Sequence, residues 1–278
     1  MATRIDADVV LVDHGLESKH RALWAMGDYT TVATEVVSPL GPVLVQASGI
    51  GAGDRVLDVA AGAGNAAIPA ALTGAEVVAS DLVPELLERG AALARARGVN
   101  LQWREANAEA LPFGGDEFDA VLSCVGVMFV PHHQCAADEL VRVCRPGGTI
   151  GLISWTPEGF IGQMFATMKP YLAAPPAGGQ PPPKWGCEDY VRGLLGDGMT
   201  DFTAQRRTLS VDRFGDGAAF RDFFKTYYGP TISAYRGIAD EPDRAAALDA
   251  ELAALADRYL AGSSTMEWEY LLVTARKR

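Results

Sequence analysis

The sequence predicts an α/β fold: a Rossmann-like, seven-stranded, mostly parallel sheet with an antiparallel last strand, plus amino-terminal helices and a helical lid insertion. Three observations predict it. Strand-like and helix-like runs alternate between residues 55 and 155, the pattern of parallel strands joined by crossover helices. The first strand-like run stops at a loop of small residues and a helix-compatible run follows, "VLDVAAGAGNAAI" at 56–68. After Trp155 the short crossovers cease, so the later strands are expected to pair antiparallel at the sheet edge.

The elements follow in order. Residues 1–54 read as a helical cover, with "KHRALWAMGDY" and "VATEVVSPLGPVLVQASGI" as apolar-periodic pieces around turn residues. Residues 55–278 form the main domain. Its first part reads "RVLDVA" (strand), "GNAAIPAAL" (helix), "AEVVASD" (strand), "PELLERGAALARARG" (helix) and "LQWREA" (strand). "FDAVLSC" (strand), "CAADELVRVC" (helix) and "GGTIGLISW" (strand) complete the alternation. Insertions are expected at about 156–200, where "APPAGGQPPPKWG" must be a loop, and at about 215–262, which holds the helical "PDRAAALDAELAALADRYLA". "DFTAQRRTLSVDRF" and "MEWEYLLVTARKR" are the two late strands. No internal repeat is present.

Charge and composition narrow the function. A formal net charge of −11 repels polyanions over most of the surface, and no Lys/Arg run offers a basic patch, so nucleic acid is not an expected partner. No apolar run approaches the roughly 18 residues of a membrane span. "MATRIDADVVLVDHG" lacks the basic and long apolar parts of a secretory signal, and none of the four cysteines lies in a CxxC pair. A cytoplasmic protein acting on a small molecule is expected, as a monomer or homodimer.

The small-residue loop can serve either a dinucleotide or S-adenosylmethionine. Gly62-x-Gly64-x-x-Ala67, with Asp81 about 20 residues on, fits the dinucleotide spacing. Asp58 argues the other way. A carboxylate beside this turn disfavours a pyrophosphate but tolerates a sulfonium and an ammonium. Further along, "ANAEALPF" followed by "FDAV" places Asn107, Ala108 and Glu109 just past the third strand, where an adenine edge could be met. "RVCRPGGTIGLISW" would supply the fifth strand after a helix and a turn.

Taken together, residues 56–155 resemble the class I S-adenosylmethionine-dependent methyltransferases, in particular the small-molecule branch of the ubiquinone/menaquinone biosynthesis methyltransferases. The chain departs from that pattern in two places: Ala60 stands where the family loop has its first glycine, and Asn107 where its adenine-side motif begins with Asp. The resemblance implies S-adenosylmethionine as cofactor and S-adenosylhomocysteine as product. It implies that Gly62 and Gly64 let the backbone approach the cofactor, with Asp58 and Asn65 beside the loop. Asp81 would accept from both ribose hydroxyls, Leu82 would pack on adenine, and Asn107, Ala108 and Glu109 would meet the adenine edge. Ser123, Cys124 and Val125 would line the methionine side. Upstream, Trp24 and Tyr29 would close over the methionine end, the Tyr29 hydroxyl reaching the carboxylate, or simply pack the amino-terminal helices on the sheet.

Methyl transfer mainly requires alignment, exclusion of water and, for some acceptors, removal of a proton. His132 and His133, beyond the fourth strand, are candidates for that base, against a plain solvated helix start. Adjacent histidines point apart on a helix, so with Cys135 they make a poor metal set and no metal is expected. Two aromatic stripes, Phe160 to Tyr171 and Phe220 to Tyr228, have the spacing of helices packing on a core, or of a lid forming an apolar acceptor pocket. Tyr228 breaks the stripe ahead of Gly229-Pro230 and is the better candidate to face a ligand. The expected function is methyl transfer to oxygen, carbon or nitrogen of a small apolar or aromatic acceptor. The alternatives are an NAD(P)-dependent reductase and a non-catalytic S-adenosylmethionine-binding protein.

Overall fold

The structure, a computed structural model, describes residues 14–174, 176 and 178–278. The opening "MATRIDADVVLVD", on which the secretory-signal reading rests, lies outside them. The cover is made of α1 (His14–Trp24), α2 (Tyr29–Glu35) and α3 (Leu40–Ala47). The expected helical run through Tyr29 breaks earlier, because Gly27 turns the chain with φ +68 and Asp28 then donates its N–H to the Tyr227 carbonyl (3.0 Å). The next run is likewise split. Val36–Pro39 separate α2 from α3, and Pro39 sits at the start of α3, where a missing N–H costs nothing.

The parallel half follows as β1 (Arg55–Val59), α4 (Ala67–Leu72), β2 (Glu76–Asp81), α5 (Pro84–Ala96), β3 (Gln102–Glu105), β4 (Phe118–Cys124), α6 (His133–Val143) and β5 (Cys144–Trp155). After their first residues β1 and β2 are buried throughout, as strands covered on both faces must be. β5 starts sooner than the sequence suggests. Cys144 already pairs with Phe118, and the Arg-Pro-Gly-Gly expected as a turn is a bulge before Thr149 pairs with Ala120.

The second half is α7 (Phe160–Met168), α8 (Glu188–Leu195), β6 (Met199–Val211), α9 (Gly217–Tyr227), α10 (Gly229–Gly237), α11 (Pro242–Leu260) and β7 (Met266–Lys277). The sheet order is β3-β2-β1-β4-β5-β7-β6, with β7 antiparallel to both of its neighbours. The chain leaves β1 toward β2 and returns to β4 on the other side. The carboxyl ends of β1 and β4 therefore flank a topological switch point, where open α/β sheets leave a crevice. None of the described helices is long and apolar enough to cross a membrane.

The aromatic stripes are core. Phe160, Phe220 and Phe224 are fully buried around Trp268 of β7; Phe160 stacks on the indole at 5.1 Å and meets Phe220 edge-on at 4.9 Å. α9 lies so close to α11 that a Cβ on Gly217 would run into the Ala253 carbonyl. These helices are thus welded to the antiparallel edge of the sheet. Truncation of Phe160 to Ala should cost about 3–5 kcal/mol, the range for a fully buried Phe, read as a lower urea midpoint at unchanged slope.

Candidate functional site

A cavity of about 340 Å³ lies at the carboxyl ends of β1, β2 and β4, with α1 across its mouth. Its floor is the loop Ala60–Asn65. Gly62 turns there with φ +55, and the Tyr29 ring lies 3.6 Å from where a Cβ would stand. The loop is held by Asp81 at the end of β2. One carboxylate oxygen accepts the Gly62 N–H (2.8 Å) and the other the Val83 N–H (2.9 Å), and the side chain forms part of the cavity wall. Burial pushes the Asp81 carboxyl above the ordinary range, against the pull of those two N–H groups.

Several expected residues stand behind the wall. Asp58 is buried beneath the loop, where Oδ2 accepts the Ala67 N–H at the start of α4 (2.8 Å); it orders the loop and does not line the cavity. Gly64 is needed for packing, not for approach to a ligand, since at φ +87 its Cβ would lie 2.8 Å from the Trp103 ring. Ser123 is fully buried, donating to the Val59 carbonyl (2.7 Å) and accepting the Val127 N–H (2.8 Å), which joins β1 to β4 below the cavity. Cys124 and Val125 are on the wall. Val125 has φ +56, a left-handed conformation that a β-branched residue rarely adopts. The chain turns so tightly here that a Cβ on Gly126 would collide with the Ala60 carbonyl. Asn65 also lines the cavity, and its amide donates to the Val37 carbonyl (3.1 Å), tying the loop to the cover.

The far wall is Leu82, Asn107, Ala108 and Glu109. The Asn107 amide is already engaged: Oδ1 accepts the Glu109 N–H (2.9 Å) and Nδ2 donates to Glu17 of α1 (3.3 Å). Glu109 turns to His132, taking its backbone N–H (2.8 Å) and facing Nδ1 at 3.1 Å. Of the two candidate histidines only His132 reaches the cavity. His133 points the other way, with Nδ1 3.0 Å from the Tyr190 hydroxyl and its ring against Trp185, and burial lowers it to about 4. Tyr228 does not face the cavity either. It is buried in a second layer, 5.9 Å from Trp24 and 6.3 Å from Tyr29, because the break between α9 and α10 turns its ring inward. Trp24, Tyr29 and Phe129 form the apolar side of the wall.

Leu16, Glu17, His20 and Phe129 are wall residues that the sequence reading passed over, and Cys135, weighed there only as a metal ligand, is another. For α1 the available signal was the i, i+4, i+8 spacing of Leu16, His20 and Trp24. Burial holds His20 below its ordinary range, against the Glu109 carboxylate. Among the described residues no Lys or Arg is on the wall, whereas Glu17, Asp81 and Glu109 are. A wall of that charge suits a cation and opposes a pyrophosphate, and the first N–H of α4 is already given to Asp58.

Comparison with known proteins agrees with this geometry. Residues 56–148 match the model of a methyltransferase domain. The chain is 58% identical over 266 residues to "Uncharacterized protein Rv1405c" of Mycobacterium tuberculosis, covering 96% of this chain and 97% of that one. It is 43% identical over 98 residues to the ubiquinone/menaquinone biosynthesis C-methyltransferase of Zymomonas mobilis, 35% of this chain and 40% of that protein. The chain belongs to the class I S-adenosylmethionine-dependent methyltransferases. Among solved structures, the YcgJ protein of Bacillus subtilis superposes with a TM-score of 0.57 at 18% identity, over 85% of this chain and 97% of that one, a likeness of fold. Within this methyltransferase fold the second half, α7 to β7, lies outside the matched domain.

Asp58 provides a test of the buried loop support. Burial pushes its carboxyl from 3.8 up to about 8, with the Ala67 N–H opposing. Between those values the unfolded chain has released a proton that the folded chain retains, so this group makes stability fall as pH rises. Asp58→Asn removes that titration. Thermal unfolding from pH 4 to 8 should show a flatter pH dependence in the variant than in the parent chain.

Proposed function

We propose that this chain transfers a methyl group from S-adenosylmethionine to a small apolar or aromatic acceptor, at oxygen, carbon or nitrogen. The observation that carries the reading is Asp81: a buried carboxylate on the cavity wall, each oxygen accepting one backbone N–H, with no Lys or Arg among the described wall residues. A carboxylate oxygen has a second lone pair. Two ribose hydroxyls fit that need, and a phosphate does not.

The residues present fit the cofactor. Gly62, Ala63 and Asn65 would hold its amino-acid end, Asp81 its ribose, and Leu82, Asn107 and Ala108 its base. When bound, S-adenosylmethionine supplies a methyl group on a sulfonium, already activated for in-line displacement. The chain's own part is to orient the acceptor, exclude water and take up a proton where the acceptor loses one. Trp24, Tyr29 and Phe129 give the acceptor an apolar surface, and with no Lys or Arg among the described wall residues an anionic acceptor is disfavoured. His132, positioned by Glu109, is the candidate proton acceptor.

Calorimetric titration tests the cofactor. S-adenosylmethionine and S-adenosylhomocysteine should bind, and NADH and NADPH should not. Asp81→Asn should weaken binding by about 1.5–3 kcal/mol, the worth of hydrogen bonds to a charged group. Nicotinamide binding alone would overturn the reading. Screening phenols, quinols, amines and carboxylic acids for release of S-adenosylhomocysteine then tests the acceptor, with turnover expected among the neutral aromatics.

A further inference from the structure

α1 has an unusual place in this fold. Leu16, Glu17, His20 and Trp24 form one stripe of the helix, and all four lie on the cavity wall. Yet α1 contains no buried residue. Its last turn is anchored, since the Trp24 ring packs against Tyr29, Phe129 and Tyr228. The turns before it reach the sheet through polar links: Arg21 to Glu105 (2.5 Å) and Glu17 to Asn107 (3.3 Å). The face that a helix normally buries in protein is here turned toward the space a ligand would occupy.

The wall at that end offers few free acceptors for a donor on a purine edge. Asn107 Oδ1 takes the Glu109 N–H. Both Glu109 oxygens are turned to His132. The Glu17 carboxylate is different. Its side chain is about four-fifths buried, receives one Asn107 N–H at 3.3 Å, and has His14 at 4.0 Å and Arg21 at 3.6 Å, the latter drawn away to Glu105. A carboxylate has about four acceptor sites, so capacity remains, and it sits beside Asn107 and Ala108.

We propose that Glu17 accepts a hydrogen bond from the exocyclic amine of the cofactor's adenine, so that the bound base fastens α1 across the cavity. The inference rests on the S-adenosylmethionine reading above and deepens it. The amine donates, the Glu17 carboxylate and the Asn107 amide converge on the same edge, and the adenine ring lies against Leu16 and His20 on the cavity wall. Adenine recognition and closure of the amino-terminal cover become one event, contributed by a helix outside the matched methyltransferase domain.

The test compares two probes on the full chain by calorimetry: S-adenosylhomocysteine, and S-inosylhomocysteine, in which an oxo group replaces the amine. The parent chain should prefer the adenosyl form strongly, because an oxo group facing a carboxylate is an acceptor against an acceptor. Glu17→Ala should weaken S-adenosylhomocysteine by about tenfold or more, the effect of losing a charge-assisted hydrogen bond, while S-inosylhomocysteine binds no more weakly than to the parent. Glu17→Gln, whose amide oxygen still accepts, should recover part of the preference. S-adenosylhomocysteine should also protect Lys19 and Arg21 from trypsin in the parent and less so in Glu17→Ala. An unchanged adenosyl-to-inosyl ratio in Glu17→Ala, with the parent binding S-adenosylhomocysteine, would overturn the assignment of Glu17 alone. Failure of the parent chain to bind either probe would instead overturn the cofactor reading on which it stands.

Discussion

Asp81 is the constraint on which the site depends. Its two carboxylate oxygens take one N–H from the loop after β1 and one from the turn before α5, so two successive crossovers are pinned to a single side chain at the end of β2. That bond pair fixes the floor of the cavity and keeps Gly62 turned against Tyr29. It also leaves a buried acid on the wall, held above its ordinary range by burial. Beneath it Asp58 repeats the device for the start of α4. The loop is thus preorganised from below by acids, and among the described residues the wall above it carries no Lys or Arg.

The two halves of the chain divide the work. The parallel half supplies the crevice, because the reversal of strand order between β1 and β4 leaves their carboxyl ends uncovered. The antiparallel half supplies rigidity and an aromatic backing. The cluster around Trp268 holds α7 and α9, and through Tyr228 it supports Trp24 and Tyr29 from behind. The cover is then fixed at one end and linked by polar contacts at the other, an arrangement suited to a helix that must admit and then enclose a ligand.

The matched domain ends at residue 148, before most of β5 and everything after it. Identity to the mycobacterial relative extends over 96% of the chain, whereas the match to the quinone-pathway relative covers 35% of it.

The sequence by itself determined the alternation of strands and helices, the reversed last strand, the small-residue loop and Asp81. Each depends on local chemistry: burial on both faces of a parallel strand, a turn that excludes Cβ atoms, an acid closing a strand. Tertiary structure alone decided which of the named residues face the cavity. Asp58, Gly64 and Ser123 lie within the family motif but point into the packing beneath the loop. His132 and His133 are neighbours in sequence and face opposite sides of one helix start. The aromatic stripes read equally as core or lid, since a helix face has the same period whatever covers it. Glu17 gave no local signal, because its place beside Asn107 comes from a contact 90 residues apart, created only when the cover folds over the sheet.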